Sequence, residues 1–318
     1  MRVLVTGAGL VGCHAAAELF EGGHEPILLD ARPQEEYVRA VAGDVPVLTA
    51  DIVDAQSLEA ALVSADVEAV VHTAGLIGQK VARRPELAFQ VNVGGTVAVA
   101  EAAAAAGVRR LVLTSSVAVY DWARAERPLD ETAPVGPRSL YGASKLAADV
   151  AAQAVTERAG LELVVLRLAG IYGFGSFRGG SQLGPLLERA LLAARDGMPL
   201  VLPAELDSLE CLYVRDAARA VRLALEAGQP GGVYNVGTGQ VHSAAELAAA
   251  LRELFPLSQV EAPEAQRPAQ PPLDVGLARA ELDFVATWPL VDGLAEFAEA
   301  LTAARPAATA RILERSSA

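Results

Sequence analysis

This sequence is short of positive charge relative to negative, and it has very little cysteine. Its 26 Lys and Arg stand against 39 Asp and Glu, a net charge of -13. Neutralising a phosphate backbone takes a basic surface, so nucleic acid is excluded as a partner. Only Cys13 and Cys211 are present, too few for a disulfide framework and without metal-ligand spacing around them. No metal is expected, and a reduced, cytoplasmic setting fits best. The chain opens on Val3-Leu4-Val5 without a basic stretch or a cleavage pattern, and its other apolar stretches are broken by charge or glycine. Neither export nor membrane attachment is therefore expected. Core material is plentiful: 52% hydrophobic composition over 318 residues excludes a disordered chain and supports one large domain or two modest ones.

Short β-type runs at 2–6, 26–30, 45–49, 67–73, 110–115 and 161–168 alternate with longer, alanine-rich helical stretches. Strands separated by helices imply right-handed crossovers, hence an α/β fold with a doubly wound parallel sheet of Rossmann type. The alanine-rich 101–106 run reads as an ordinary helix end, because alanine is the best helix former and Gly107 supplies a stop. Beyond Gly173 the pattern loosens into a glycine-rich 173–184, a helix near 186–195 and a proline-rich 263–272. The expected division is a dinucleotide-binding domain over 1–173, with 205–240 returning to it and a strand near 232–237 rejoining the main sheet. A smaller C-terminal substrate-binding portion covers 174–204 and 241–304, and 305–318 is a frayed tail.

Gly7-Ala8-Gly9-Leu10-Val11-Gly12 directly follows the first strand and opens a helix, the context that makes a glycine pattern credible. Glycines permit the tight turn and let a pyrophosphate approach the N–H groups at a helix N-terminus. Asp30 ends the second strand, where a carboxylate accepts from both ribose hydroxyls and repels a 2′-phosphate, so NAD is favoured over NADP. Arg32 is the counter-argument, since a guanidinium there could accommodate that phosphate; a solvated strand-end role for Asp30 also stays open. Asp51-Ile52 follows the third strand, placed for a carboxylate to accept from the adenine amino group while the isoleucine covers the ring, or for the acid to serve a helix N-terminus.

Tyr141 and Lys145 are four apart and share one helix face. An ammonium beside a phenol makes it acidic, which suits a base that takes a proton from an alcohol. Bringing a phenol from about 10 to about 7 requires stabilising phenolate by roughly 4 kcal/mol. One cation about 6 Å away at an effective dielectric near 20 supplies roughly 2.8 kcal/mol. A cationic nicotinamide and a hydroxyl donor such as Ser116 are positioned to supply the rest, with Ser115 the competing serine.

Together these motifs resemble the extended short-chain dehydrogenase/reductase family, also called the NAD-dependent epimerase/dehydratase family, over nearly the whole chain. Further stretches match in order: His72-Thr73-Ala74-Gly75, Asn92-Val93-Gly94-Gly95-Thr96, Arg167 with Tyr172-Gly173, Tyr213-Val214-Arg215-Asp216 and Tyr234-Asn235-Val236-Gly237. The resemblance implies Tyr141 as general base or acid, Lys145 as the nicotinamide-ribose ligand that lowers the tyrosine pKa, and Ser116 as the residue holding the substrate hydroxyl. It also implies Asn92 near the cofactor and Ala74-Gly75 where the dinucleotide passes close to backbone. Asn92 has a rival reading as a helix cap. His72 reads as a satisfied core histidine.

Departures from the family pattern bear on substrate. Ala118 stands where dehydratases and decarboxylases of the family place an acid. Gly170 and Leu209 replace an asparagine and an arginine that sugar-nucleotide enzymes of the family use as a diphosphate handle, and Asp121 replaces a glycine. Arg178 and Arg267 are left as candidate anion holders, with simple solvent exposure as the alternative for each. The expectation is an NAD-dependent oxidoreductase acting on a secondary alcohol of a sugar, sugar acid or related polar hydroxy compound. The alternative is a UDP-hexose-type epimerase working through a transient ketone; a non-catalytic dinucleotide sensor is the remote one. Small apolar residues on the helices at 86–106 and 141–159, which the family often pairs across a two-fold axis, imply a homodimer.

Overall fold

Parallel strands covered on both faces are built from unbroken apolar runs. Val3, Leu4 and Val5 form such a run, and all three are fully buried. The computed structural model describes residues 1–125, 128–175, 183–264 and 270–303. Its strands are β1 (Arg2–Thr6), β2 (Glu25–Asp30), β3 (Val47–Thr49), β4 (Ala69–His72), β5 (Arg110–Ser116), β6 (Glu162–Leu168), β7 (Gly170–Tyr172), β8 (Leu200–Val201), β9 (Cys211–Tyr213), β10 (Val233–Val236) and β11 (Val260–Glu261). The helices are α1 (Leu10–Glu21), α2 (Glu35–Ala42), α3 (Ala55–Ser64), α4 (Gln79–Arg83), α5 (Pro85–Phe89), α6 (Gly95–Ala105), α7 (Leu140–Ala159), α8 (Leu183–Arg195), α9 (Val214–Ala227), α10 (Ala244–Leu254), α11 (Gly276–Leu282) and α12 (Leu290–Ala303).

Among the described residues, seven strands form one sheet in the order β10-β6-β5-β4-β1-β2-β3. Every neighbouring pair in it is parallel. The order reverses between β1 and β4, so the carboxyl ends of those two strands open the crevice where such sheets bind ligands. One face is packed by α3, α6 and α7 through residues such as Leu58, Val99, Ala103 and Ala152. The other is packed by α1, α2 and α9 through Cys13, Tyr37, Ala217 and Val221.

The doubly wound sheet is therefore as expected, with strand ends adjusted by one or two residues. β3 starts at Val47 because Pro46 has no N–H to give; only its carbonyl joins the ladder, accepting from the N–H of Leu28 at 2.9 Å. The alanine-rich helix ends where anticipated, with Gly107 at φ +72. Val233–Val236 does rejoin the sheet, beside β6. Two small pairings went unanticipated, β7 with β9 and β8 with β11. Residues 85–105 form the one stretch, among the described residues, long and apolar enough to cross a membrane by length and composition. Val99 and Ala100 are nonetheless buried against the sheet, and Asn92 and Thr96 are buried with hydrogen-bond partners, as in a core helix.

Asp216 ties the C-terminal segment to this frame. It sits in the first turn of α9, 1% exposed, and its two carboxyl oxygens accept from the N–H of Thr287 at 2.9 and 3.0 Å, the Thr287 hydroxyl at 3.0 Å and the N–H of Trp288 at 3.0 Å. Arg219 donates to the same group at 3.2 Å. Removing it leaves the part-buried donors of Thr287 and Trp288 without this acceptor, so Asp216→Ala is expected to cost about 1–3 kcal/mol. Urea unfolding checks this; a midpoint equal to that of the wild type would refute the role.

Candidate active site

The β1–α1 turn is shaped by what cannot fit in it. Gly7 has φ +90, and a Cβ there would lie 2.8 Å from the Ala74 backbone; a Cβ on Gly12 would lie 1.8 Å from the Gly7 carbonyl oxygen. Strand, turn, helix and the Thr73–Ala74 backbone are thus in direct contact. At Gly9, the N-cap of α1, a Cβ would meet nothing within 4 Å, and no side chain caps the helix. The first turn through Leu10 and Val11 is therefore open to an anion from outside. Asp30 braces the turn: its Oδ2 accepts from the N–H of Ala8 at 2.9 Å and its Oδ1 from that of Arg32 at 2.7 Å. Arg32 is exposed. Beside β3, Asp51 is exposed and Asp54, not Asp51, caps α3. Ile52 is 5% exposed and packs where Gly95 leaves room for it.

Across the crevice, Thr73 donates to the carbonyls of Thr6 and Gly7 at 2.8 and 3.2 Å, and the chain then runs through Ala74 and Gly75. Asn92 is not a cap. It lies in a π-helical turn, Gln90–Gly94, between α5 and α6, the kind of local widening that frees a side chain for other work. Its Oδ1 accepts from the N–H of Leu76 at 2.7 Å, and its Nδ2 donates to the Leu76 carbonyl and the Ser144 hydroxyl, both at 2.9 Å. Asn92 therefore fixes the loop after β4 to α7. His72 is a core residue, 1% exposed, between the hydroxyls of Thr6 at 2.6 Å and Thr96 at 3.0 Å.

α7 begins at Ser139, whose hydroxyl accepts from the N–H of Gly142 at 3.0 Å. A Cβ at Gly142 would sit 2.2 Å from the Ala118 carbonyl, so this glycine lets the helix start pressed on the turn after β5. That contact brings Tyr141 beside Ser116, whose hydroxyl favours the phenolate form. Lys145 is 8% exposed and donates to the Thr114 carbonyl at 2.6 Å. Burial dominates the electrostatics. It pushes the Tyr141 phenol up to about 12, against the lowering effect of Ser116, and pulls the Lys145 ammonium down. Desolvation is the largest cause of both shifts.

Tyr141, Lys145 and Ser116 line one cavity of about 460 Å³ with Thr73, Gly75 and, from the first turn of α1, Val11; the glycines of the β1–α1 turn, Asp30, Asp51, Ile52 and Asn92 are not among its lining residues. The residues present fit a dinucleotide. The family model for the NAD-dependent epimerase/dehydratase family matches residues 3–237. The chain belongs to that family. A UDP-glucose 4-epimerase of Corynebacterium glutamicum is 32% identical over 269 residues, covering 80% of each chain. Among solved structures, the Thermus thermophilus UDP-glucose 4-epimerase in complex with NAD superposes with a TM-score of 0.80 at 29% identity, over 96% of this chain and 100% of that one. The Thermotoga maritima UDP-glucose 4-epimerase with UDP-glucose gives 0.82 at 25% identity, over 95% and 99%. This family member is an NAD-dependent enzyme.

Gly170 and Leu209, the two departures from the family's handle pattern, are held in backbone packing and pairing. A Cβ on Gly170 would lie 3.1 Å from the Glu210 carbonyl and 3.2 Å from Leu183, and Leu209 forms a two-way backbone bridge with His242. Asp121 caps the short turn Trp122–Arg124 and pairs with Arg124 at 3.4 Å and Arg138 at 3.8 Å. Arg178 and Arg267 lie outside the described residues. The sequence reading assigned no role to Thr73, Ser144 or Asp149.

Burial, with a smaller contribution from the Lys145 charge, pushes His72 down to about 3. An unfolded histidine titrates at about 6.5. Between those values the unfolded chain binds a proton that the folded one refuses, so the contribution is complete above about pH 6.5 and is lost as pH falls toward 3. Stability should decline by up to about 1.4 kcal/mol per pH unit on this account. The checkable outcome is a shallower decline in His72→Gln between pH 6.5 and 4; equal slopes would refute it.

Proposed function

We propose that this protein is a dehydrogenase that oxidises a secondary alcohol of a sugar, sugar acid or related polar hydroxy compound. The observation that carries the reading is the cavity that Ser116, Tyr141 and Lys145 share with Val11 of the first α1 turn and with Thr73 and Gly75. NAD, when bound, supplies the acceptor for the hydride that leaves the carbinol carbon. Tyr141 takes the hydroxyl proton, so the alcohol leaves as a ketone. Ser116 orients the oxygen, and Lys145 lies on the tyrosine's helix face to hold the nicotinamide ribose and favour phenolate. Gly7, Gly9, Leu10, Val11 and Gly12 would face the pyrophosphate, Asp30 the ribose hydroxyls, Asp51 and Ile52 the adenine edge, and Ala74 and Gly75 the passing dinucleotide. Asn92 acts through the loop it pins.

Epimerisation of a nucleotide sugar is the second reading, favoured by the names of the relatives. It needs a ketone that turns over while a remote handle stays fixed. The structural uses of Gly170 and Leu209 speak for release of the ketone. Incubation with a panel of sugars, sugar acids and nucleotide sugars separates the two. Stoichiometric NADH absorbance is the expected result, whereas an isomeric product without NADH would establish the second reading instead. Tyr141→Phe should lose about 10²–10⁴ of kcat while still binding NAD; unchanged turnover would end the base assignment.

A homodimer through α6 and α7 fits the same reading, because Val150 on α7 is 60% exposed. Sedimentation should give twice the monomer mass, falling toward one chain in Val150→Glu; a wild-type monomer would refute it.

A further inference from the structure

Helix α7 presents Tyr141, Lys145 and Asp149 at successive four-residue steps, so all three share one face. Each meets a different one of three consecutive residues on β5. Ser116 lies beside the Tyr141 phenol and favours its ionised form, Lys145 donates to the Thr114 carbonyl at 2.6 Å, and the Ser115 hydroxyl donates to Asp149 Oδ2 at 2.8 Å. The helix is thus fastened to the strand by three polar rungs, two made by residues of the proposed chemistry and one by a carboxylate that this chemistry does not use.

Asp149 is 9% exposed and lies between two buried cations, Lys145 one helical turn away and Arg167 of β6, whose Nε is 3.9 Å from Asp149 Oδ2. Arg167 is itself 9% exposed and donates from Nη1 to the Tyr120 hydroxyl at 3.0 Å and the Glu131 carbonyl at 3.2 Å. The groups facing this stripe are His72 from β4, the Thr114 carbonyl with Ser115 and Ser116 from β5, and Arg167 from β6. Two cations out of water with no counter-charge would be strongly destabilised. One carboxylate compensates one of them and leaves a single positive charge over, the charge that a phenolate needs.

We propose that Asp149 is a positioning residue: it keeps Lys145 charged and seated on the Thr114 carbonyl, and through it sets the proton affinity of Tyr141. The proposal rests on the site reading given above. Asp149 opposes the loss of the Lys145 proton that burial favours, while its own charge acts directly on the Tyr141 phenol in the other sense, raising it; the Lys145 titration is therefore the readout that isolates the proposed effect.

The chain offers a direct probe, because Lys80 and Lys145 are its only lysines. Lysine labelled with ¹⁵N and ¹³C at the side-chain terminus gives two signals, assigned by Lys80→Arg. Titrated in the NAD-bound protein, the Lys145 signal should move to lower pH by about one unit or more in Asp149→Asn, which keeps the shape and removes the charge. Asp149→Glu should restore most of the wild-type titration, a rescue that mere packing would not give. With an identified substrate, the alkaline limb of kcat should shift in the same sense. Should Asp149→Asn fail to fold, Ser115→Ala keeps the carboxylate but releases its rung, and a smaller shift in the same direction is expected. A Lys145 titration identical to wild type in the folded variants overturns the proposal. Full turnover by Tyr141→Phe would instead overturn the site reading and leave the lysine result standing.

Discussion

The contact between the start of α7 and the end of β5 is the constraint on which the site depends. Gly142 has no Cβ, so the helix descends onto the Ala118 carbonyl, and only that descent carries Tyr141 to Ser116. A helix displaced outward by one methyl radius would break the phenol contact and draw Lys145 from the Thr114 carbonyl. The same economy holds at the other wall, where the missing side chains of Gly7 and Gly12 let β1, α1 and the Thr73–Ala74 backbone touch. The crevice is thus defined by two backbone approaches, each needing glycine for steric and not merely conformational reasons.

Desolvation sets the electrostatics of the site. Lys145 is buried and Tyr141 half-buried, and desolvation moves each toward its neutral form. Removing charges from water is costly, so a base of this kind depends on compensating positive charge nearby. An oxidised nicotinamide ring, when bound, would add such a charge in favour of phenolate.

Much of this was legible in the sequence because its signals are local. A glycine turn after an apolar strand, a carboxylate at the next strand end and a tyrosine–lysine pair at helical spacing each specify their own geometry. What could not be read depends on distant partners. Asn92 precedes a glycine pair and looks like a cap, yet the helix continues through a π-helical turn and the side chain is spent on Leu76, sixteen residues back. Asp149 resembles an ordinary surface acid until β5 and β6 close over it. The pairs β7–β9 and β8–β11 are only two or three residues long, too short for a periodic pattern to register.

The cavity wall facing Tyr141 carries the argument toward substrate. Leu76, Ile77, Val81, Leu140 and Leu183 line it, and Lys145 is the charged side chain among its described lining residues. A diphosphate desolvated against such a wall would lack the paired donors that compensate it. A sugar ring is different: its C–H face suits an apolar surface while its hydroxyls turn toward Ser116 and Tyr141. On the proposed reading, such a wall would take the ring at the reacting carbon, with any anionic part of the substrate held outside these described lining residues.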